Sequence, residues 1–425
     1  MSDHAHLLAL DAADPLADFR TQFHLPLHHA APQIYLCGNS LGLQPKATRA
    51  ALHQELDDWA RLGVEGHFHA RHSWYETHLE LRDSLARLAG AKPAEVAAMG
   101  SLTANLHMAL TSFYRPTSSR FKVLMEADMF PSDRYAVASH LELHRLTRDE
   151  ALIELEGDAR GLISTDRIIE AIRQSGDSLA LILWSGVNYY SGQRYDLDAI
   201  AAAAREVGAN VGFDLAHAIG NVPLTLHETA PDFAVWCTYK YLNSGPGGVG
   251  GLFVHERHHS DTSLHRLAGW WGNDPATRFT MPRTFVPQHS VDAWQVSNAP
   301  VLQIAALRAS LGLFDKAPLD ALRAKSLRMG SELRTLLQGR LGDKVCLLTP
   351  EAADERGCQL SIRVGEAARR VCDQLLARGV VCDFRAPDVV RAAPTPLYNT
   401  FAELGRFAET LGAIYDEQPW ERPIC

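Results

Sequence analysis

The sequence predicts an α/β protein with a large domain on a mostly parallel sheet covered by helices, plus a smaller α/β C-terminal domain. Three observations predict it. Between residues 121 and 256, apolar runs of strand character alternate with segments of helical spacing. That alternation lays consecutive strands side by side in parallel, with helices on both faces. After Pro300 the texture changes to two long helical patterns and then short strands. The 425 residues, 46% hydrophobic and 21% charged, suit an ordinary folded chain of two to three domains at roughly 150 residues each.

The elements follow in order. Pro45 opens a helix in which Leu52, Leu56 and Trp59 recur at helical spacing up to Gly63, and Leu81, Leu85 and Leu88 repeat the pattern before Gly90. Strands are expected at FKVLMEA (121–127), LIELE (152–156) and LALILW (179–184), with helices begun by Ser132, Ser164 and Asp196. ANVGF ending in Asp214, DFAVWCT running up to Lys240, and GLFVHE (251–256) complete the sheet. Beyond Pro300, VLQIAALRASLGLF and LDALRAKSLRMGSELRTLL read as helices, and CLLT, QLSIRV and VVCDF as strands. The expected division is an N-terminal segment (1–60) packing with the small domain, a large domain (61–300) and a small C-terminal domain (301–425). Pro282, Pro287 and Pro300 mark the last boundary.

Composition narrows the function classes. The net charge of −9, from 41 basic and 50 acidic residues with no basic block, gives counterion release no source, so no nucleic-acid partner is expected. Asp3, Asp11 and Asp14 stand where a signal peptide wants basic residues, and no apolar run approaches a membrane span, so no membrane association is expected. Seven scattered cysteines without a C-x-x-C pair read as a reduced, cytoplasmic chain.

Three tempting motifs fail on context. Gly38-Asn39-Ser40-Leu41-Gly42 fits the G-x-S-x-G elbow of serine hydrolases, but only one possible strand, QIYLC, precedes it, whereas that fold needs several strands already laid down. Gly245, Gly247 and Gly250 satisfy G-x-G-x-x-G, yet GLFVHE after them is strand-like, not the helix N-terminus that receives a pyrophosphate. His67, His69 and His72 lack a nearby carboxylate or cysteine at a zinc spacing, so they read as surface or substrate-facing histidines and no metal is expected.

The informative pair is Asp214 and Lys240. Each follows an apolar strand, and in open α/β sheets ligands gather beyond the carboxyl ends of the strands, so both should reach one crevice. Singly, Asp214 would be a helix cap, Lys240 a surface charge and Phe130 a core aromatic. Together, an aspartate and a lysine so ordered point to pyridoxal 5'-phosphate, whose chemistry needs a lysine amine for the Schiff base and a carboxylate on the pyridine nitrogen. Thr103, Ser132, Asp133 and Ser185 stand where helix starts or strand ends offer donors to its phosphate, and Phe130 could stack on its ring.

At these residues the sequence resembles the kynureninase family, of the aspartate-aminotransferase-like fold type I of pyridoxal phosphate enzymes. The resemblance rests on LCGNSLGLQPK (36–46), SLTANLH (101–107), FPSDRYA (130–136), SGVNYYSGQ (185–193), GFDLAHAIGN (212–221), WCTYKYLNSGPGG (236–248), GWWG (269–272), WQVSN (294–298) and RAAPTPLYNT (391–400). It implies a PLP-dependent transferase-like large domain and hydrolysis of L-kynurenine, with 3-hydroxykynurenine as a further substrate, in tryptophan breakdown. Lys240 would be the Schiff-base lysine and Asp214 the partner of the pyridine nitrogen. The resemblance also puts Leu102, Thr103, Phe130, Pro131, Ser132, Asp133, Ser185, His217 and Tyr239 around the cofactor, with Tyr239 a candidate acid/base. Trp270 and Asn298 would complete the site of a second subunit, implying a homodimer. Arg391 would clamp the substrate carboxylate, and Ser40, His67 and Trp74 would lie on the substrate side. Where the family usually reads SNPP, this chain has Ser297-Asn298-Ala299-Pro300, which keeps the asparagine and loses one proline. The alternatives are another fold type I enzyme, a cysteine desulfurase or aminotransferase sharing Asp214 and Lys240, or a serine hydrolase using Ser40.

Overall fold

The computed structural model describes residues 3–418. Its large sheet has seven strands: β1 (Val96–Ala98), β2 (Lys122–Glu126), β3 (Leu152–Leu155), β4 (Leu179–Ser185), β5 (Asn210–Asp214), β6 (Phe233–Cys237) and β7 (Gly250–Val254). Their spatial order is β1-β7-β6-β5-β4-β2-β3. From β3 to β6 the neighbours run parallel, and β7 is antiparallel to both β6 and β1. The mostly parallel α/β sheet is therefore present, with one reversed strand.

Why these runs form central strands is visible in β4, buried at all seven positions. Its side chains alternate between faces with the period of two that the pleat imposes. Leu181 and Leu183 join the apolar cluster around Phe233 and Val235, while Ile182 and Trp184 join the one around Phe213 and Trp236. Cover on both faces is what makes the run continuously apolar. Helix ends are also locally specified. The Asp196 side chain accepts from Ala199 N at the start of Leu197–Val207, and Gly208 ends that helix in a left-handed conformation.

Three local readings differ from expectation. The helix expected to begin at Ser132 spans Pro131–Leu143, because Pro131, with its fixed φ, occupies the first turn. In helix Ala47–Leu62 the buried residues are Thr48, Glu55 and Asp58, while Leu56 and Trp59 are exposed. Its inner face is polar because Glu55 accepts from Arg308 Nη2 (2.6 Å) and Trp74 Nε1 (2.9 Å), and Asp58 accepts from Arg71 N (3.0 Å). The VVCDF run divides in two: Val380–Val381 pairs in parallel with Ile34–Tyr35, and the rest enters the small sheet.

That sheet contains β8 (Cys346–Leu347), β9 (Leu360–Arg363), β10 (Asp383–Arg385) and β11 (Val389–Ala392), in the antiparallel order β8-β9-β11-β10. The sequence reading missed β11. Met329 and Leu333 of helix Leu319–Leu341 and Phe407 and Leu411 of helix Phe401–Glu417 cover this sheet, in one cluster with Leu7, Ile34 and Leu36. Leu16, Phe23 and Leu43, like Ile304, Leu307 and Phe314 of helix Val301–Phe314, join Trp184 and Trp236 under the large sheet. No helix among the described residues is long and apolar enough to cross a membrane.

A buried ion pair fastens the chain's beginning. Lys325 Nζ lies 2.6 Å from Asp14 Oδ2, with side chains 6% and 5% exposed, and also donates to Pro396 O at 2.7 Å. Removing one partner of such a pair strands the other charge in a poor solvent. Asp14→Ala should therefore destabilise the protein by about 3–5 kcal/mol in a urea titration; a loss under about 1 kcal/mol would show that water reaches Lys325.

Candidate active site

Parallel strands end on one side of their sheet, and here three of them end in groups that chemistry can use: Glu126 on β2, Ser185 on β4 and Asp214 on β5. After β6 the chain turns through Thr238 and Tyr239 to Lys240. A cleft opens at this edge. Leu102, Thr103, Phe130, Ser132, Asp133 and Ser185 line it together with Asp214, His217, Tyr239 and Lys240. Ten of the expected cofactor residues thus meet in one place. Pro131 does not face the cleft; it belongs to the backbone of the helix turn that presents Ser132 and Asp133.

The geometry is that of a site for an anionic, nitrogen-bearing ligand. Lys240 Nζ stands 3.0 Å from His217 Nε2 and 5.9 Å from the centre of the Phe130 ring. Burial, then the Lys240 charge, lowers the His217 pKa, so its imidazole is neutral and can accept from the ammonium. Asp214 accepts from Ala216 N (2.7 Å) and is raised by burial. Among the described residues no nitrogen or hydroxyl donor reaches either Asp133 oxygen, and burial followed by the Asp214 charge pushes Asp133 well up. Two carboxyl groups this close in a low dielectric hold a proton between them. Burial also raises Tyr239, keeping its phenol protonated.

Two helices of full length, Leu102–Phe113 and Pro131–Leu143, start at the cleft, where Thr103 Oγ1 and Ser132 Oγ are 2.7 Å apart. Free N–H groups and hydroxyls at such starts suit a phosphate. The orphaned Asp133 oxygens, the amine and these helix starts fit pyridoxal phosphate: an aldehyde for Lys240, a protonated ring nitrogen for the carboxyls, and a phosphate for the helix starts.

The other expected residues lie outside the cleft. Arg391, on β11, is 1% exposed; it pairs with Asp383 through Nε (2.6 Å) and Nη2 and donates from Nη1 to Tyr189 O at 2.6 Å. A guanidinium has five N–H groups; three are engaged, and two remain, enough for a bidentate carboxylate. Its charge is among those that lower His217, and Tyr189 lines the cleft, so Arg391 sits behind the wall. Ser40 belongs to a turn that docks under Lys240: Gly42 N donates to Tyr239 O at 2.8 Å. A Cβ on Gly42 would come within 2.3 Å of Lys240 O. No hydrogen bond joins Ser40 Oγ to a histidine or carboxylate among the described residues, so the elbow lacks its base.

His67 and Trp74 pack edge to face at 5.6 Å, while His69 and His72 turn to Glu65 and Glu80; the three imidazoles do not converge. Among the described residues Glu95, His227 and His255 do converge. Their donors are committed, however. Glu95 accepts from Lys92 N and Glu256 N, both at 2.9 Å, and His255 Nδ1 accepts from Arg257 N, leaving the hydrogen on the Nε2 that a metal would need. Trp270 is 45% exposed, and Asn298 is exposed too.

Sequence reasoning missed Asn188 and Tyr189 in the cleft wall, and Glu126 beneath it. Glu126 carried a usable signal, a carboxylate closing an apolar strand, the same feature that marked Asp214.

Comparisons with known proteins agree. The model of the kynureninase C-terminal domain matches residues 322–411. A kynureninase of Stenotrophomonas maltophilia is 50% identical over 97% of this chain and 99% of its own length. Another from Xanthomonas euvesicatoria is 52% identical over 96% and 97%. Among solved structures, the cystine C-S lyase C-DES, as a mutant with glycine covalently linked to its PLP cofactor, superposes with a TM-score of 0.77 at 19% identity, covering 92% of this chain and 98% of that one. A cysteine desulfurase of Thermococcus onnurineus does so with 0.76 at 17%, over 94% and 98%. The structural likenesses carry the fold alone, but half-identity over nearly the whole length carries more: this chain belongs to the kynureninase family.

Proposed function

We propose that the protein hydrolyses the Cβ–Cγ bond of L-kynurenine, taking up one water to release anthranilate and L-alanine, with 3-hydroxykynurenine as a second substrate. The observation that carries this reading is the meeting of Lys240, His217 and the Asp133–Asp214 pair in one cleft of a family member. Pyridoxal phosphate, when bound, supplies the electron sink that lets bonds at the substrate's α- and β-carbons break. The chain's residues do the rest. Lys240 would hold the cofactor through its amine and, once displaced by substrate, move the proton at the α-carbon, with neutral His217 accepting from it. Asp214 and Asp133 would keep a proton on the ring nitrogen, while Ser132, Thr103 and Ser185 face its other groups. The protonated phenol of Tyr239 would donate to an oxygen, that of the phosphate or of the substrate's γ-carbonyl. Arg391 would turn its two free N–H groups to the substrate carboxylate.

A cysteine desulfurase or aminotransferase would share the cofactor and release no anthranilate. Five of the described cysteines are free, which supports a cytoplasmic setting.

Two copies are proposed to share their sites. Trp270 and Asn298 lie outside the cleft of their own chain, and Trp270 joins Phe279 (5.4 Å) and Phe68 in an exposed apolar face. Such a face is commonly covered by a partner.

Fluorescence should show anthranilate released from L-kynurenine, and borohydride reduction should attach the cofactor to Lys240 and nowhere else; attachment at another lysine ends the assignment. Arg391→Lys keeps a charge opposite Asp383 but loses the fork, so KM should rise roughly thirtyfold with kcat changed far less; an unchanged KM would mean that another group binds the carboxylate. Lys240→Ala and Trp270→Ala chains, each inactive alone, should recover about a quarter of wild-type activity when refolded together, since one site in each mixed pair is whole. No recovery would place Trp270 in its own chain's site.

A further inference from the structure

Glu126 closes β2 beneath the cleft, and it is 1% exposed. Four neutral donors surround its carboxylate, sorted by oxygen. Oε1 accepts from Ser185 N (3.0 Å) and Ser185 Oγ. Oε2 accepts from Asn188 Nδ2 (2.6 Å) and Tyr195 OH (3.1 Å). Ionised, this acid is saturated; four donors stand in for its lost water.

The two oxygens lead to different parts of the site. Through Oε1 the acid fixes Ser185, a wall of the cofactor cleft. Through Oε2 it orients the Asn188 amide, whose Oδ1 accepts from Tyr190 N and Ser191 N, both at 2.9 Å, and from Ser191 Oγ at 3.2 Å. Those bonds fix a tight turn. Within it the Tyr189 carbonyl accepts from Arg391 Nη1 (2.6 Å) and Gln359 Nε2 (3.0 Å). An unbroken line of hydrogen bonds and one short turn therefore joins the buried acid to the arginine behind the wall.

We propose that Glu126 is a positioning residue that divides its two carboxylate oxygens between the cofactor wall and, through Asn188 and the Tyr189 carbonyl, the Arg391 clamp. This rests on the reading of Arg391 as the group that binds the substrate carboxylate. Glu126 itself touches neither ligand.

The segregation of donors makes one substitution selective. Glu126→Gln can keep its carbonyl oxygen toward Ser185, where two donors wait. Its amide then faces Asn188 Nδ2, donor against donor. Asn188 cannot flip to relieve this, because its Oδ1 already accepts three bonds, whereas Tyr195 OH can rotate and accept. The cofactor arm survives and the clamp arm breaks.

The test measures both arms on purified Glu126→Gln holoenzyme. Pyridoxal phosphate should bind within about twofold of wild type, while L-alanine, read by the absorbance of the bound cofactor, should bind about tenfold more weakly; KM for L-kynurenine should follow L-alanine and kcat should change less than KM. Unchanged L-alanine affinity would overturn the proposal, as would an equal loss of cofactor affinity, which is what general loosening produces. Tyr195→Phe removes a donor from the same oxygen without touching the turn and should leave L-alanine affinity intact; a loss like that of Glu126→Gln would also overturn it. If Glu126→Gln does not accumulate folded, Asn188→Ser breaks the same arm, and unchanged L-alanine affinity in that variant would overturn the proposal. L-alanine binding requires no carbon–carbon cleavage, so absence of anthranilate release would sink the functional reading without deciding this one, and an Arg391→Lys chain with normal L-alanine affinity would sink the clamp alone.

Discussion

Two carboxyl groups buried side by side next to a lysine amine are the costly arrangement on which the molecule is organised. Left to themselves, Asp133 and Asp214 repel, and both are raised by burial; a low dielectric tolerates them only with a proton or a cation between them. Strand β5 and helix Pro131–Leu143 hold the two in place with rigid backbone, so neither can swing out to water. On the proposed reading, a cationic ring nitrogen would relieve that strain on binding. A protein that merely needed to be stable would have put apolar side chains there.

The segment from Ser185 to Tyr195 shows how a loop can be made as firm as a strand. Asn188 spends both ends of its amide, Gln193 ties back to Ile163 through N–H and carbonyl, and Thr349 Oγ1 donates to Ser191 O. Contacts of this last kind reach from the small sheet to the large one. The site wall is consequently shared property, and a displacement of the small sheet would be felt at Tyr189 before it was felt at Lys240.

How much of this was legible depended on whether a local pattern had a single physical meaning. Asp214 and Lys240 were readable because a charged residue closing an apolar run in a parallel sheet can only point past the strand end. Glu126 obeyed the same rule and went unread, since nothing in its sequence neighbourhood hinted that Ser185, Asn188 and Tyr195 would converge on it from 59 to 69 residues away. Leu56 and Trp59 misled in the other direction. Their spacing announced a helix correctly, but which face turns inward was decided by Arg308 and Trp74 finding Glu55, long-range partners with no periodic signature. Arg391 was legible only through family likeness. Its strand is four residues long, too short to show alternation, and Asp383 as its partner comes from the sheet register.

The pairing of Ile34–Tyr35 with Val380–Val381, together with Asp11 accepting from Phe401 N and Ala402 N at 2.6 and 2.9 Å, has a bearing on biogenesis. Residues 7–36 find their partners beyond residue 328. Until residues 329–415 have been made, Leu7, Ile34 and Leu36 lack the cluster that covers them, and closing so long a loop is slow. During synthesis these apolar side chains therefore wait uncovered, which makes the segment that carries them a natural client for a chaperone.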